Sequence, residues 1–122
     1  VGSIAQIPAR PIDFAITALN FHDVYNRSED DSHQLLRQIY SALKPGGVLG
    51  IIDHKGTPGA DNVTLHRISF EDAVTSAVEA GFVLTGTSKV LHNSDDDHTL
   101  GPFDPSLGRN TDRLVLRLAK PH

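Results

Sequence analysis

Leu43-Lys44-Pro45-Gly46-Gly47-Val48-Leu49-Gly50-Ile51-Ile52-Asp53 reads as a helix end, a glycine turn and a buried strand, in that order. Pro45 forbids continuation of a helix, and Gly46-Gly47 supply a left-handed turn. Val48 to Ile52 is a short unbroken apolar run, the pattern of a strand in a parallel sheet. On the upstream side, Leu35, Leu36, Ile39, Tyr40 and Leu43 fall on one face of a 3.6-residue repeat, which predicts a helix capped by Asp31 or Ser32. Before it, Asn20 to Asp31 is polar and without period, and reads as a loop. Asp13-Phe14-Ala15-Ile16-Thr17-Ala18-Leu19 is a nearly continuous apolar run, which suits a strand buried on both faces.

On the downstream side, Lys55 to Asn62 is rich in glycine and proline and reads as a loop. Ser69 with Asp72 forms a variant capping box for a second helix, with Phe70, Ala73, Val74, Ala77 and Val78 on its apolar face and Gly81 at its end. Phe82 to Leu91 reads as a third strand. Asp112 to Lys120 reads as a fourth, with Leu114, Leu116 and Leu118 on one face and Arg113 and Arg117 on the other. The roughly 20 residues between these two strands hold Asp, Gly, Pro and Asn and no helical pattern, so the connection is a long hairpin and the last pair antiparallel. The expected fold class is α/β, in the order strand, helix, strand, helix, strand, strand.

Composition narrows the function. At 122 residues, with 39% apolar and 21% charged residues, the chain is one domain at most, large enough to bury a core and unlike a membrane span or a disordered acidic chain. Its net charge is -4 and its 11 basic residues are scattered, so no nucleic-acid footprint is expected. Without cysteine there are no disulfides or thiolate metal sites. No targeting segment is visible, and a cytoplasmic location is the default expectation.

The strand order, with Leu-Lys-Pro-Gly-Gly-Val-Leu ahead of the second strand, resembles strands four to seven of the class I S-adenosylmethionine-dependent methyltransferase fold, a partial Rossmann-like sheet whose last strand is antiparallel. Asn20-Phe21-His22-Asp23 resembles the Asn-x-His-Asp that a group of bacterial predicted methyltransferases carries after strand four. The resemblance implies that residues 1–122 form the C-terminal part of a single such domain. The glycine loop and ribose-binding acidic residue, which anchor the cofactor in the family, would lie upstream of Val1. It implies S-adenosylmethionine as cofactor, with Ser3 and Ile4 flanking the adenine and Asn20 also at the cofactor. It also implies that the fragment alone is inactive.

In open α/β sheets ligands sit beyond the carboxyl ends of the strands. Two such ends are Asn20 to Asp23 and Asp53-His54; if their strands are neighbours, two His-Asp pairs converge. His22 and Asp23 are the expected catalytic pair, a proton acceptor with an orienting carboxylate, and Asp53 and His54 the expected substrate-binding residues. Such pairs can also ligate a divalent ion, or simply cap strand ends; no metal site is assigned. His92 and Asp95-Asp96-Asp97-His98 read as an exposed, solvated loop, His33 and His66 as surface residues, and Arg113 and Arg117 as solvent-facing.

The leading functional expectation is methyl transfer to a small molecule, with catalysis mostly by positioning. The alternative is a non-catalytic α/β fragment or binding module that associates through an exposed strand. A nicotinamide-dependent oxidoreductase fits less well, because of the antiparallel final hairpin. The apolar strand from Asp13 to Leu19 has nothing to cover its far edge, so a homodimer through that edge is expected.

Overall fold

The computed structural model describes residues 11–122. Ser3 and Ile4 therefore lie outside the described residues. Strand β1, Ile12–Ala18, pairs in parallel with β2, Leu43–Gly56, in a register that sets Ala18 beside Ile52. Strand β5, Arg113–Ala119, runs antiparallel to β2, and β4, Val83–Thr87, antiparallel to β5. The mixed sheet has the order β1-β2-β5-β4, and a two-residue strand β3, Ile68–Ser69, pairs with the far end of β2. The antiparallel closing pair is where the sequence placed it.

Helices α1 (Phe21–Arg27), α2 (Glu29–Ala42), α3 (Asn62–Leu65) and α4 (Phe70–Glu79) connect the strands. The core joins Leu49 and Ile51 of β2 and Leu114, Leu116 and Leu118 of β5 to Phe21, Leu36, Ala73 and Ala77 of the helices. The register puts Leu49 opposite Leu118 and Ile51 opposite Leu116, so one sheet face carries the apolar burial.

Four expectations need correction. The segment from Asn20 to Asp31 is not a loop: α1 forms there because Phe21 and Val24, three residues apart, both bury against the core. The cap of α2 is Ser28, whose Oγ accepts the Asp31 N–H at 3.2 Å, rather than Asp31 or Ser32. The third strand ends at Thr87, well before Leu91. Finally, β1 is not buried on both faces: Phe14 and Ile16 are 55% and 58% exposed, and among the described residues β1 is the outermost strand of the sheet.

The expected glycine turn forms at Gly46, whose φ of +83° is left-handed. Its N–H donates to Lys120 O at 2.7 Å, so the turn extends β2 and joins it to the end of β5.

The 88–112 connection is ordered by charge. Asp96 is buried, against the expectation of a solvated acidic run, and accepts two hydrogen bonds of 2.9 Å from the fully buried Arg67. Asp95 and Asp97, on either side, are exposed as expected. Arg67 also donates to the carbonyls of Lys55 and Leu100, while Asp112 accepts from Asn93 N and pairs with His92 and His98. Buried charges persist only when paired and hydrogen-bonded, and here every carboxylate has donors.

Candidate functional site

The carboxyl ends of β1 and β2 lie side by side, and the two His-Asp pairs do converge there. Leu19 leaves β1 with φ of +63° and donates its N–H to Ile52 O at 2.8 Å, which turns the chain into α1. Asn20 is the cap residue of α1, but its side chain makes no capping bond. The cap comes instead from the neighbouring strand. Asp53, fully buried, accepts the His22 backbone N–H through Oδ2 at 2.6 Å and its own neighbour's N–H, from His54, through Oδ1 at 2.8 Å. Asp53 Oδ1 also pairs with His22 Nδ1 at 2.6 Å. Sequence reasoning assigned Asp53 to substrate; the structure makes it the buried partner that holds His22 in place.

The other ring nitrogen of His22 lies 3.1 Å from Asp23 Oδ1, and Asp23 is half exposed. Burial works against a charged His22. The Asp53 hydrogen bond and charge, with the charge of Asp23, outweigh it and raise the His22 pKa above its ordinary 6.5. His54 goes the other way. It is 8% exposed, and burial lowers its pKa to about 4, so it is a neutral imidazole at neutral pH, bonded through Nδ1 to Thr111 Oγ1 at 2.6 Å. Two histidines whose rings stand 5.5 Å apart thus have opposite protonation preferences. Pairs pushed apart in this way are the usual sign of acid-base division.

His22, Asp23 and His54 open onto a cleft of about 470 Å³ that Leu19, Asn20, His66, Pro102, Phe103, Arg109 and Arg113 also line. That volume suits a small molecule. Among the described residues four non-glycine positions have positive φ, and three of them, Leu19, His66 and Arg109, line this cleft. Such backbone costs on the order of 1–3 kcal/mol per residue and clusters at functional sites.

His66 was not legible as a site residue. It lies at the C-terminus of α3 with φ of +53°, its ring 6.1 Å from that of His22 and its Nδ1 3.8 Å from Asp23 Oδ1. The Asn26 side chain holds this junction by donating to Asn62 O and Arg67 O. Ligand atoms of His22, Asp23 and His66 lie within 4.8 Å of one another, a spacing a divalent ion could bridge. Arg113, expected to face solvent, is half-buried on the cleft wall, whereas Arg117 is exposed. His33 is half-buried and away from this cleft.

No protein-family profile matches the chain, and no curated protein matches it significantly. Solved structures do. The N-methyltransferase NodS from Bradyrhizobium japonicum WM9 superposes with a TM-score of 0.65 at 17% identity, over 99% of this chain and 58% of NodS. The putative methyltransferase bound to the Haloferax volcanii Trm112 activator gives 0.66 at 18%, over 99% of this chain and 60% of that one. The chain has the class I methyltransferase fold. The [4+2]-cyclase SpnF shares it, with a TM-score of 0.67 at 19% identity over 98% of this chain and 54% of its own, so the methyltransferase fold serves more than one reaction. The chain spans less than two thirds of the length of these structures. Among the described residues no helix is long and apolar enough to cross a membrane.

Proposed function

We propose that the protein transfers a methyl group from S-adenosylmethionine to a small molecule held in the cleft at the carboxyl ends of β1 and β2, and that this chain supplies the acceptor side. The observation that carries this reading is the buried Asp53-His22 pair opening onto that cleft, on a fold shared with NodS, which has been crystallised with S-adenosylhomocysteine. Leu19 and the exposed Asn20 amide at the cleft fit a cofactor with apolar and polar parts. S-adenosylmethionine, when bound, supplies a methyl carbon that the acceptor's lone pair takes as the C–S electron pair returns to sulfur.

His22 and Asp23 are the proposed catalytic residues. Asp53 accepts from His22 Nδ1, which aims Nε2 at the cleft. In its neutral form His22 takes the acceptor's proton on Nε2. Asp23, half exposed and 3.1 Å from that nitrogen, stabilises the charge His22 gains on taking the proton. His54, neutral, lines the acceptor side with Asp53 beneath it.

Isothermal titration of the intact protein with S-adenosylhomocysteine tests the reading; saturable binding supports it, and its absence in folded protein rejects it. A second reading, a binding module, draws on the edge that β1 presents among the described residues and on the exposed Phe14 and Ile16. The same edge underlies a proposed homodimer.

A further inference from the structure

We propose that the cleft selects an acceptor carrying an aromatic ring and a carboxylate, the carboxylate held by Arg113 and Arg109 and the ring lying against Phe103. This rests on the methyl-transfer reading and names the substrate class of that site.

Charge is the first support. The chain is acidic overall, yet the cleft lining includes two guanidinium groups. Among the described residues neither has a carboxylate within ion-pair distance, while Arg27, Arg67 and Lys44 all do. The one carboxylate in the lining, Asp23, is paired with His22 and His66. An anion entering here meets two guanidinium groups against the single carboxylate of Asp23.

Pre-organisation is the second. Arg113 donates through Nε to Thr111 Oγ1 at 3.3 Å and through Nη2 to Arg109 O at 3.0 Å, while Nη1 has no partner among the described residues. A guanidinium fixed along one edge with the rest of its fork free is suited to planar carboxylate recognition. Thr111, which steadies Arg113, also bonds His54, so the cationic wall and the histidine wall share one support. Gly108 and Arg109 are consecutive left-handed residues, a backbone that places Arg109 at the cleft. The Arg113 charge is among the influences that, after burial, keep His54 neutral, so the attraction for an anion on this side rests on the guanidinium groups.

Phe103 is the third. It is 87% exposed beside the buried Pro102 at the cleft, on a connection otherwise tied down through Asp96 and Asp112. An aromatic face left bare at such a mouth offers stacking to a ring whose substituent reaches His22.

The test is titration of the intact protein, with and without S-adenosylhomocysteine, with hydroxybenzoate, phenol and phenyl phosphate. Hydroxybenzoate is expected to bind roughly 10- to 100-fold more tightly than phenol. Arg113→Gln and the surface variant Arg109→Gln should erase most of that preference, and Phe103→Ala should weaken both phenolic ligands alike. Arg117→Gln, on the same strand but outside the cleft, should change nothing. Tighter binding of phenyl phosphate would show that the anion site takes a phosphate and would overturn the carboxylate assignment. Equal affinity for phenol and hydroxybenzoate, or no binding of hydroxybenzoate at millimolar concentration, overturns the proposal. Binding of S-adenosylhomocysteine is read separately, so failure of the methyl-transfer reading remains distinguishable.

Discussion

His22 holds a position that few histidines hold: buried, bracketed by two carboxylates, and opening onto a cleft. As a base it must be neutral, so kcat/KM is expected to rise with pH through its raised pKa, above 6.5. Asp23→Asn removes one of the charges that raise it and should move that acid limb to lower pH. His22→Asn keeps a donor toward Asp53 but no base, and should lower turnover by a factor on the order of 10²–10⁴ with the fold intact. Melting curves recorded beside the rates separate this from mere destabilisation. Chelation of metals should leave turnover unchanged; a loss restored by a divalent ion would instead make His22, Asp23 and His66 its ligands.

His54 gives a stability prediction of defined sign. Its native pKa is lowered to about 4, so between roughly pH 6.5 and 4 the unfolded chain binds a proton that the native chain refuses. Stability should fall as pH falls through that window and then level off. His22 contributes oppositely, adding stability at acid pH that is lost as pH rises through its raised value. Thermal melts of His54→Gln across the window should show a flatter acid limb than the parent protein. The convergence of Asn20–Asp23 with Asp53-His54 was legible, because strand ends of neighbouring parallel strands meet. The hydrogen bond between residues 31 positions apart was not.

Among the elements, the 88–112 connection departs furthest from its sequence reading. Its acidic run reads as solvated because like charges in a row usually are, yet Asp96 is drawn inward by Arg67, 29 residues away in a different element. Asp96→Ala strands the Arg67 charge and should cost about 3–5 kcal/mol, measured by urea unfolding. Hydrogen exchange should quicken first in the connection that carries Phe103 and Arg109. Replacing both partners by apolar residues of similar volume should recover much of the loss. At the start of α2, Ser28→Ala should cost about 0.5–2 kcal/mol through the lost cap. Helix α1 escaped the sequence reading because seven residues hold too few repeats to show a period, and its N-terminal cap is supplied by Asp53 of another element.

At the scale of the whole molecule, the sheet is half covered. Helices pack on the face of Leu49 and Ile51, while Phe14 and Ile16 stand exposed on β1, the outermost strand among the described residues. A free edge with apolar side chains invites pairing with another chain, and light scattering of the 122-residue chain is expected to report a dimer. Ile16→Lys should shift it toward monomer; a parent protein that is monomeric at high concentration would reject the association.

What the sequence determined by itself is the α/β class, the punctuation by Pro45, Gly46 and Gly81, the inward face of Leu114, Leu116 and Leu118, and the antiparallel final pair. The punctuation and the inward face are short-range patterns, set by backbone sterics or by a period of 2 residues within one segment. The class and the final pair follow from the order of segments and the helix-free connection between the last two. Tertiary structure alone decided that Asp53 caps α1 and orients His22, that Asp96 is buried on Arg67, and that His66 and Arg113 face one cleft. Those outcomes depend on desolvation and pairing between residues far apart in the chain. A polar side chain's partner, unlike its period, is not written in its neighbours.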